Sequence, residues 1–472
     1  MTPLQVLGSD AAYEVADWLH GGDFEKEIVR KLDMHIIPMV TILHLLAFLD
    51  RVNIGNARLY GLEKDLHLNG NKFQVSVSVV FVTYLLFEIP SNLVLKKFTP
   101  SRYIAALAVI WSIVASMTGL VHTYGQLIAC RVLLGMFEAG LFPGLLVYLM
   151  MFYTKQQLAL RIGSLSVSAA LAGACGGLLA YGIGFMDGIN GMRGWRWIMI
   201  MEGLPTFFAG VLAFFVLADH PSRAWYLTAE EKEFLRLRRL REQGESENAQ
   251  KFHWSDVRKG LTSWRVLMFA LGQFGCDTML YGYSIFLPTI IKEIGSWSTP
   301  TVQAGAVTYL VAAHFSDKTH RRGVFAVAFG SISVIGYIIL LASTSVSARY
   351  IACFLVATGL YVVVGIPLSW LSTNSPRYGK RAAGSGLQLT VGNSSGVVVP
   401  FIYTHGPRFV KGHTISLAMV SMSTALYAIL WYSYTRANAT RARGEEDWKL
   451  DGKTDEEVEE MGDESPRFVY WT

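Results

Sequence analysis

Apolar residues in this chain come in long runs, near 34–50, 74–95, 103–121, 126–151, 162–186, 197–217, 266–291, 324–343, 350–370, 383–404 and 414–435, with short polar loops between them. A helix needs about 20 mainly apolar residues to cross roughly 30 Å of hydrocarbon, and each run is near that length. Between the sixth and seventh runs the chain turns polar. Within that stretch Glu230 to Glu245 alternates Glu, Lys and Arg with Leu and Phe at helical spacing, which predicts a partly helical linker. One further span is needed between Gly295 and Ser316, yet only Ala304 to Phe315 is mostly apolar, and such a helix covers about 18 Å. Recruiting Thr299 to Gln303 brings in Pro300 and Gln303, tolerable only where protein or water covers them. A re-entrant segment is the alternative, but it would put Arg321–Arg322 and Lys380–Arg381 on opposite faces. The expectation is therefore an all-α polytopic membrane protein of twelve helices in two six-helix halves. It comprises an N-terminal segment 1–33, a first half 34–217, a linker 218–264, a second half 265–435 and a tail 436–472, with the eighth span truncated after Gln303.

Composition agrees. Hydrophobic residues make up 52% and charged residues 16%, against about 25% charged in soluble domains. A net charge of +5, scattered along the chain, argues against nucleic acid as a partner. Cys130, Cys175, Cys276 and Cys353 all fall inside apolar runs, where they read as packing residues rather than metal ligands or disulfide partners. Arg236, Arg238, Arg239, Arg241, Lys251, Arg258 and Lys259 in the linker, with Arg436, Arg441 and Arg443 after the last run, place both termini in the cytosol. The acidic stretch Asp451 to Glu464 is expected to be disordered.

Ionisable groups inside spans are costly and mark pathways or partners. Here they are His44, Asp50, Arg51, Glu88, Arg131, Glu138, Glu202 and Asp277. Arg131 and Glu138 are two helical turns apart on one face, so a structural bridge between them is one reading. The other is functional. A carboxyl that is neutral in a closed cavity and ionised in an open one couples a carrier to protons, and Glu138 is the candidate. Arginine keeps its charge and presents a planar fork to a carboxylate, which makes Arg51 and Arg131 candidates for holding an anionic substrate. Tyr281, Tyr283, Trp370 and Asn393 are candidates to line the cavity; His44 reads as packed and hydrogen-bonded, and Glu88 as a helix contact. Two loops in equivalent places of the halves, Lys96-Lys97 to Arg102 and Asp317-Lys318 to Arg321-Arg322, suit charged latches on the cytosolic side. No phosphate loop, metal-spaced set or nucleophile elbow stands in a structured context, so neither an enzyme nor a cofactor is expected.

Asp317, Lys318, Arg321 and Arg322 match the loop signature of the major facilitator superfamily, with Ala313 and His320 at its glycines, and Arg131-x-x-x-Gly135-x-x-x-Ala139-Gly140 is similar to its fourth-span motif. More closely, FLDRVNIGNA at 48–57, FEIPSNLVLK at 87–96, RVLLGMFEAGLFPG at 131–144, GWRW at 194–197, MEGLPT at 201–206 and PRFVKGH at 407–413 resemble the anion:cation symporter family in its fungal allantoate-permease branch, which includes nicotinate and other vitamin carriers. The resemblance implies a twelve-helix fold with alternating access and proton-coupled import of a small carboxylate across a plasma membrane. A more remote resemblance to the vesicular glutamate and sialic-acid carriers assigns Arg51 with Asn53, and Arg131 with Glu138, to substrate and proton; the loop signature assigns Asp317, Lys318, Arg321 and Arg322 to gating, and Tyr281 and Asn393 join the substrate-binding set as cavity-lining candidates. The partners are then a small organic anion, protons and membrane lipid around a monomer. A proton-coupled exporter and a non-transporting relative are the alternatives.

Overall fold

The computed structural model describes residues 22–95, 98–244, 254–294, 315–316, 319, 321–404, 408–454, 457–458 and 461–472. Its spanning helices are α1 (Gly22–Leu59), α2 (Lys72–Leu95), α3 (Pro100–Thr118), α4 (Tyr124–Glu138), α5 (Leu141–Phe152), α6 (Lys155–Gly184) and α7 (Gly194–Val216). The linker forms α8 (Ala229–Gly244) and α9 (Trp254–Thr262). Then follow α10 (Trp264–Ile294), α11 (Arg322–Ala342), α12 (Val346–Thr373), α13 (Tyr378–Ile402) and α14 (Val410–Ala442). Seven segments among the described residues, one of them α4 and α5 taken together, are long and apolar enough to cross a membrane. The segment expected as a short eighth span lies almost wholly outside the described residues, as do Asp317 and Lys318.

Each apolar run becomes a helix, with starts set by local chemistry. Thr123 and Gln126 form a reciprocal capping box at the head of α4, and Thr154 and Gln157 form another at α6. Pro100 begins α3, where its missing N–H costs nothing. The run 126–151 differs from the expectation of one helix. It breaks at Ala139–Gly140, directly after Glu138, so the acid ends α4 and α5 restarts beyond it.

Helices α1–α7 pack on one another, and α10–α14 likewise. On one face, α8 is strapped to the start of α1: Lys31 pairs with Glu231 at 2.6 Å, Arg238 reaches Glu25 at 3.1 Å and the Phe152 carbonyl at 3.0 Å, and Phe24 meets Phe234 edge to face. On the same face α9 is tied to α13 by Asp256 and Arg377 at 2.9 Å.

The acidic stretch is not disordered where it is described. Asp463 is buried and accepts from Lys380 at 2.6 and 2.8 Å, and the segment runs on across the ends of α10, α12 and α14. Asn438 brackets the Tyr470 main chain with bonds of 2.8 and 2.9 Å, Asn374 does the same for Trp471 at 2.9 Å twice, and Trp370 Nε1 donates to the Trp471 carbonyl at 2.8 Å. Composition predicted disorder because it counts acids without seeing Lys380, which receives Asp463, or the asparagines that hold the main chain after it.

The two helix sets meet at the opposite face. Gly55 of α1 lies so close to the Ile285 carbonyl of α10 that a Cβ would overlap it, and Ser78 Oγ of α2 donates to the Val397 carbonyl of α13 at 2.7 Å. The molecule is therefore closed on the face away from the linker.

Candidate functional site

Four candidates meet near the middle of the spans. Arg51 of α1 donates from Nε to Glu138 Oε1 at 2.8 Å, with the Glu138 side chain fully buried and 13% of the Arg51 side chain exposed. The guanidinium lies 4.6 Å above the Tyr84 ring of α2 and 5.5 Å from Phe48, aromatic faces that suit a cation. Across the seam, the Tyr281 hydroxyl of α10 donates to Asn393 Oδ1 of α13 at 2.6 Å. Phe81 of α2 meets the Tyr281 ring edge to face at 4.6 Å, joining the two walls.

Glu138 thus pairs with Arg51 and not with Arg131 two turns earlier on its own helix. Arg131 is buried, and its Nε and Nη2 meet no hydrogen-bond partner among the described residues. Asp50 lies within its electrostatic reach and within that of Glu138. Asp50 itself accepts from Trp111 Nε1 at 2.9 Å. Asn53 is buried beside this set, its Oδ1 without a donor among the described residues. Glu202 of α7, in the MEGLPT string, is buried with both carboxyl oxygens unpartnered among the described residues and Asp50 within reach.

The sequence named Asp50 and Glu202 as intramembrane acids but gave them no task. It missed Trp111 and Tyr84 altogether, because an aromatic in a span reads as packing until its neighbour is known. Three buried acids and two arginines carry a formal charge of −1 if all are ionised. A buried cluster of that kind gains by taking up one proton.

Other candidates lie elsewhere. His44 Nδ1 bonds Ser168 Oγ at 2.8 Å, the packed role expected. Tyr283 and Trp370 are engaged elsewhere: the Tyr283 hydroxyl donates to the Cys353 carbonyl inside the second helix set, and Trp370 is taken by Trp471. Arg321 caps α11 at the surface. Arg322 is buried, donating to Thr373 Oγ1 at 2.6 Å with its guanidinium 4.5 Å over Trp471. The first latch loop has no acid of its own, but Asp219, beyond α7, supplies one: it accepts from Arg102 at 3.0 Å and from Ser101 at 2.6 Å.

The arrangement works as an exchange of partners. With Glu138 ionised, Arg51 is held. Loss of that charge would remove the charge-assisted bond and leave the guanidinium without its partner.

Residues 40–400 match the family model described as Major Facilitator Superfamily. An uncharacterized transporter of Schizosaccharomyces pombe is 40% identical over 424 residues, covering 88% of this chain and 85% of its own. A high-affinity nicotinic acid transporter of Saccharomyces cerevisiae is 31% identical over 457 residues, covering 94% of this chain and 85% of its own. Among solved structures, the fold is similar to a bacterial homolog of the human lysosomal transporter Spinster, in an inward-facing and unoccupied conformation, with TM-score 0.64, 16% identity, and coverage of 85% of this chain and 98% of that one.

Proposed function

The chain belongs to the major facilitator superfamily and is a multi-pass membrane transporter, and we propose that it imports a small organic carboxylate by proton symport across a plasma membrane. In this reading the linker face is cytosolic, and the state described here, shut on the opposite face, is inward-facing.

The single observation that carries the reading is the buried Arg51–Glu138 pair. An arginine that an anion can claim is locked by an acid that a proton can neutralise, so proton and anion enter the site together or not at all. Arg131 and Asn53 stand ready as further donors to the anion, and Tyr281 with Asn393 closes the other wall. The similarity to a nicotinic acid transporter supports a monocarboxylate as cargo. Asp317, Lys318, Arg321 and Arg322 are assigned to the cytosolic latch. The bounds 34–217 and 265–435 are taken as the two rocking halves.

Initial-rate uptake of labelled small carboxylates, nicotinate and allantoate among them, into expressing cells at pH 5 and pH 7.5 tests it. Acid-stimulated uptake abolished by a protonophore is the expected result. Acid-driven efflux of the same compounds would replace import by export, and binding without flux would leave a receptor.

A further inference from the structure

The wall opposite Arg51 carries an acid that this proton cycle does not use. Asp277 lies one helical turn before Tyr281 on α10 and is 5% exposed. No Lys, Arg or His pairs with it among the described residues. Its hydrogen bond there comes from Gln273 Nε2 to Oδ1 at 2.8 Å. Oδ2 lies against Gly392 of α13, where any side chain would overlap it, and Gly392 adjoins Asn393, which holds the Tyr281 hydroxyl.

As a carboxylate, Asp277 would fix the polarity of the amides behind it. A carboxylate only accepts, so Gln273 must turn its Nε2 toward Asp277 and its Oε1 away. That Oε1 accepts from Gln388 Nε2 at 3.2 Å, which leaves Gln388 Oε1 buried and without a donor among the described residues. Gln388 Oε1 therefore remains an unfilled acceptor on this wall, beside a carboxyl that no cation meets among the described residues, while the other wall presents guanidinium donors. A buried carboxylate with no cation is costly, and a ligand that supplies one removes that cost.

We propose that Asp277, backed by Gln273 and Gln388, receives a positively charged nitrogen of the substrate, so that the cargo is a zwitterion whose carboxylate meets Arg51 and whose cationic nitrogen meets Asp277. This deepens the symport reading and rests on it. Asp277 is then the residue that sets specificity between zwitterionic and purely anionic carboxylates.

The test uses the full chain in expressing cells and two pairs of isosteres, 4-aminobutanoate against pentanoate and N-methylnicotinate against 3-methylbenzoate. Each pair differs by one charged nitrogen. In the wild type, uptake of the zwitterion, or its competition with a carried carboxylate, exceeds that of its partner by about tenfold or more in at least one pair. In Asp277→Asn the zwitterion loses more uptake than its uncharged-tail partner, so that the preference falls to within about threefold; Asp277→Glu retains the preference. Gel filtration of both variants reports folding. Equal handling of both members in the wild type, equal loss of both in Asp277→Asn, or failure of all four compounds to enter or compete while another carboxylate is carried overturns the assignment alone. Transport of no carboxylate at all overturns the symport reading, and this inference with it.

Discussion

Arg51 and Glu138 sit 87 positions apart in sequence and 2.8 Å apart in space, the one the sole ion-pair partner of the other among the described residues. Neither is free to do its proposed work until the other lets go. The proposed mechanism is thus a competition for one guanidinium between an internal carboxylate and an external one, decided by a proton.

Glu138→Gln removes the charge and leaves the shape. Arg51 is then permanently released, so substrate exchange across the membrane continues but proton-driven accumulation is lost. Counterflow and net uptake, measured side by side in proteoliposomes, separate the two; unchanged accumulation would dismiss Glu138 from coupling.

Arg51→Lys keeps the charge and loses both the planar fork and the stacking on Tyr84. Affinity for carboxylates falls by about tenfold or more, and affinity for the matching neutral amide is unchanged. Competition against a labelled substrate reads this. An equal fall for the amide would mark the effect as packing.

Gly55→Val places a side chain on the Ile285 carbonyl. The seam away from the linker can no longer close, and the population moves toward the state open on that face. Cysteines introduced near the seam should label faster with an impermeant thiol reagent, and transport should fall. Unaltered labelling would show that the seam relaxes around the added methyls.

Deleting residues 466–472 removes the hydrogen bonds to Asn374, Asn438 and Trp370 and uncovers Arg322. Several bonds and two buried aromatic contacts go together, so the melting temperature in detergent drops by about 4 °C or more. A drop below 1 °C would show that the segment is only laid on the surface.

The linker strap is sensitive to acid. Burial pushes the Glu231 carboxyl up, but the bonds from Lys31 and from the Thr228 N–H outweigh it and hold the group below its ordinary value. A depressed acid contributes stability that is full above the ordinary glutamate value of about 4.3 and is lost as pH falls through the folded value. Release of α8 should therefore set in only as pH falls below about 4.3, and be read by proteolysis in the linker. Glu231→Gln should flatten that dependence.

The helices were legible in the sequence because burial in lipid demands an unbroken apolar run, and each run leaves its length on the page. Less legible was everything that depends on which helix lies beside which. Arg131 and Glu138 share a face, which suggested a bridge, yet the nearer partner came from α1, and only the packing of α1 on α4 decides that. Asp50, Glu202 and Asp277 were recognisable as misplaced charges, but their surroundings, Trp111 for one and Gln273 for another, are remote in sequence or amide-bearing and carry no signal of their own. Asp219 shows the same limit in the first latch loop: the missing acid is supplied 117 residues later. The docked segment around Asp463 shows it in reverse, since an acid that looks solvated finds Lys380 waiting, and two asparagines hold the main chain that follows it.

At the seam away from the linker, both contacts are lopsided: a glycine and a serine on one side, two peptide carbonyls on the other. Every amino acid brings a carbonyl. Positions 285 and 397 can accordingly drift among side chains of similar helical tolerance without disturbing the closure, whereas 55 must stay without a side chain and 78 must keep a hydroxyl. At these two contacts closure therefore depends on side-chain identity at 55 and 78 and on backbone alone at 285 and 397, while beside Val397 the requirement is reversed, since Gly396 must stay bare to admit Phe81.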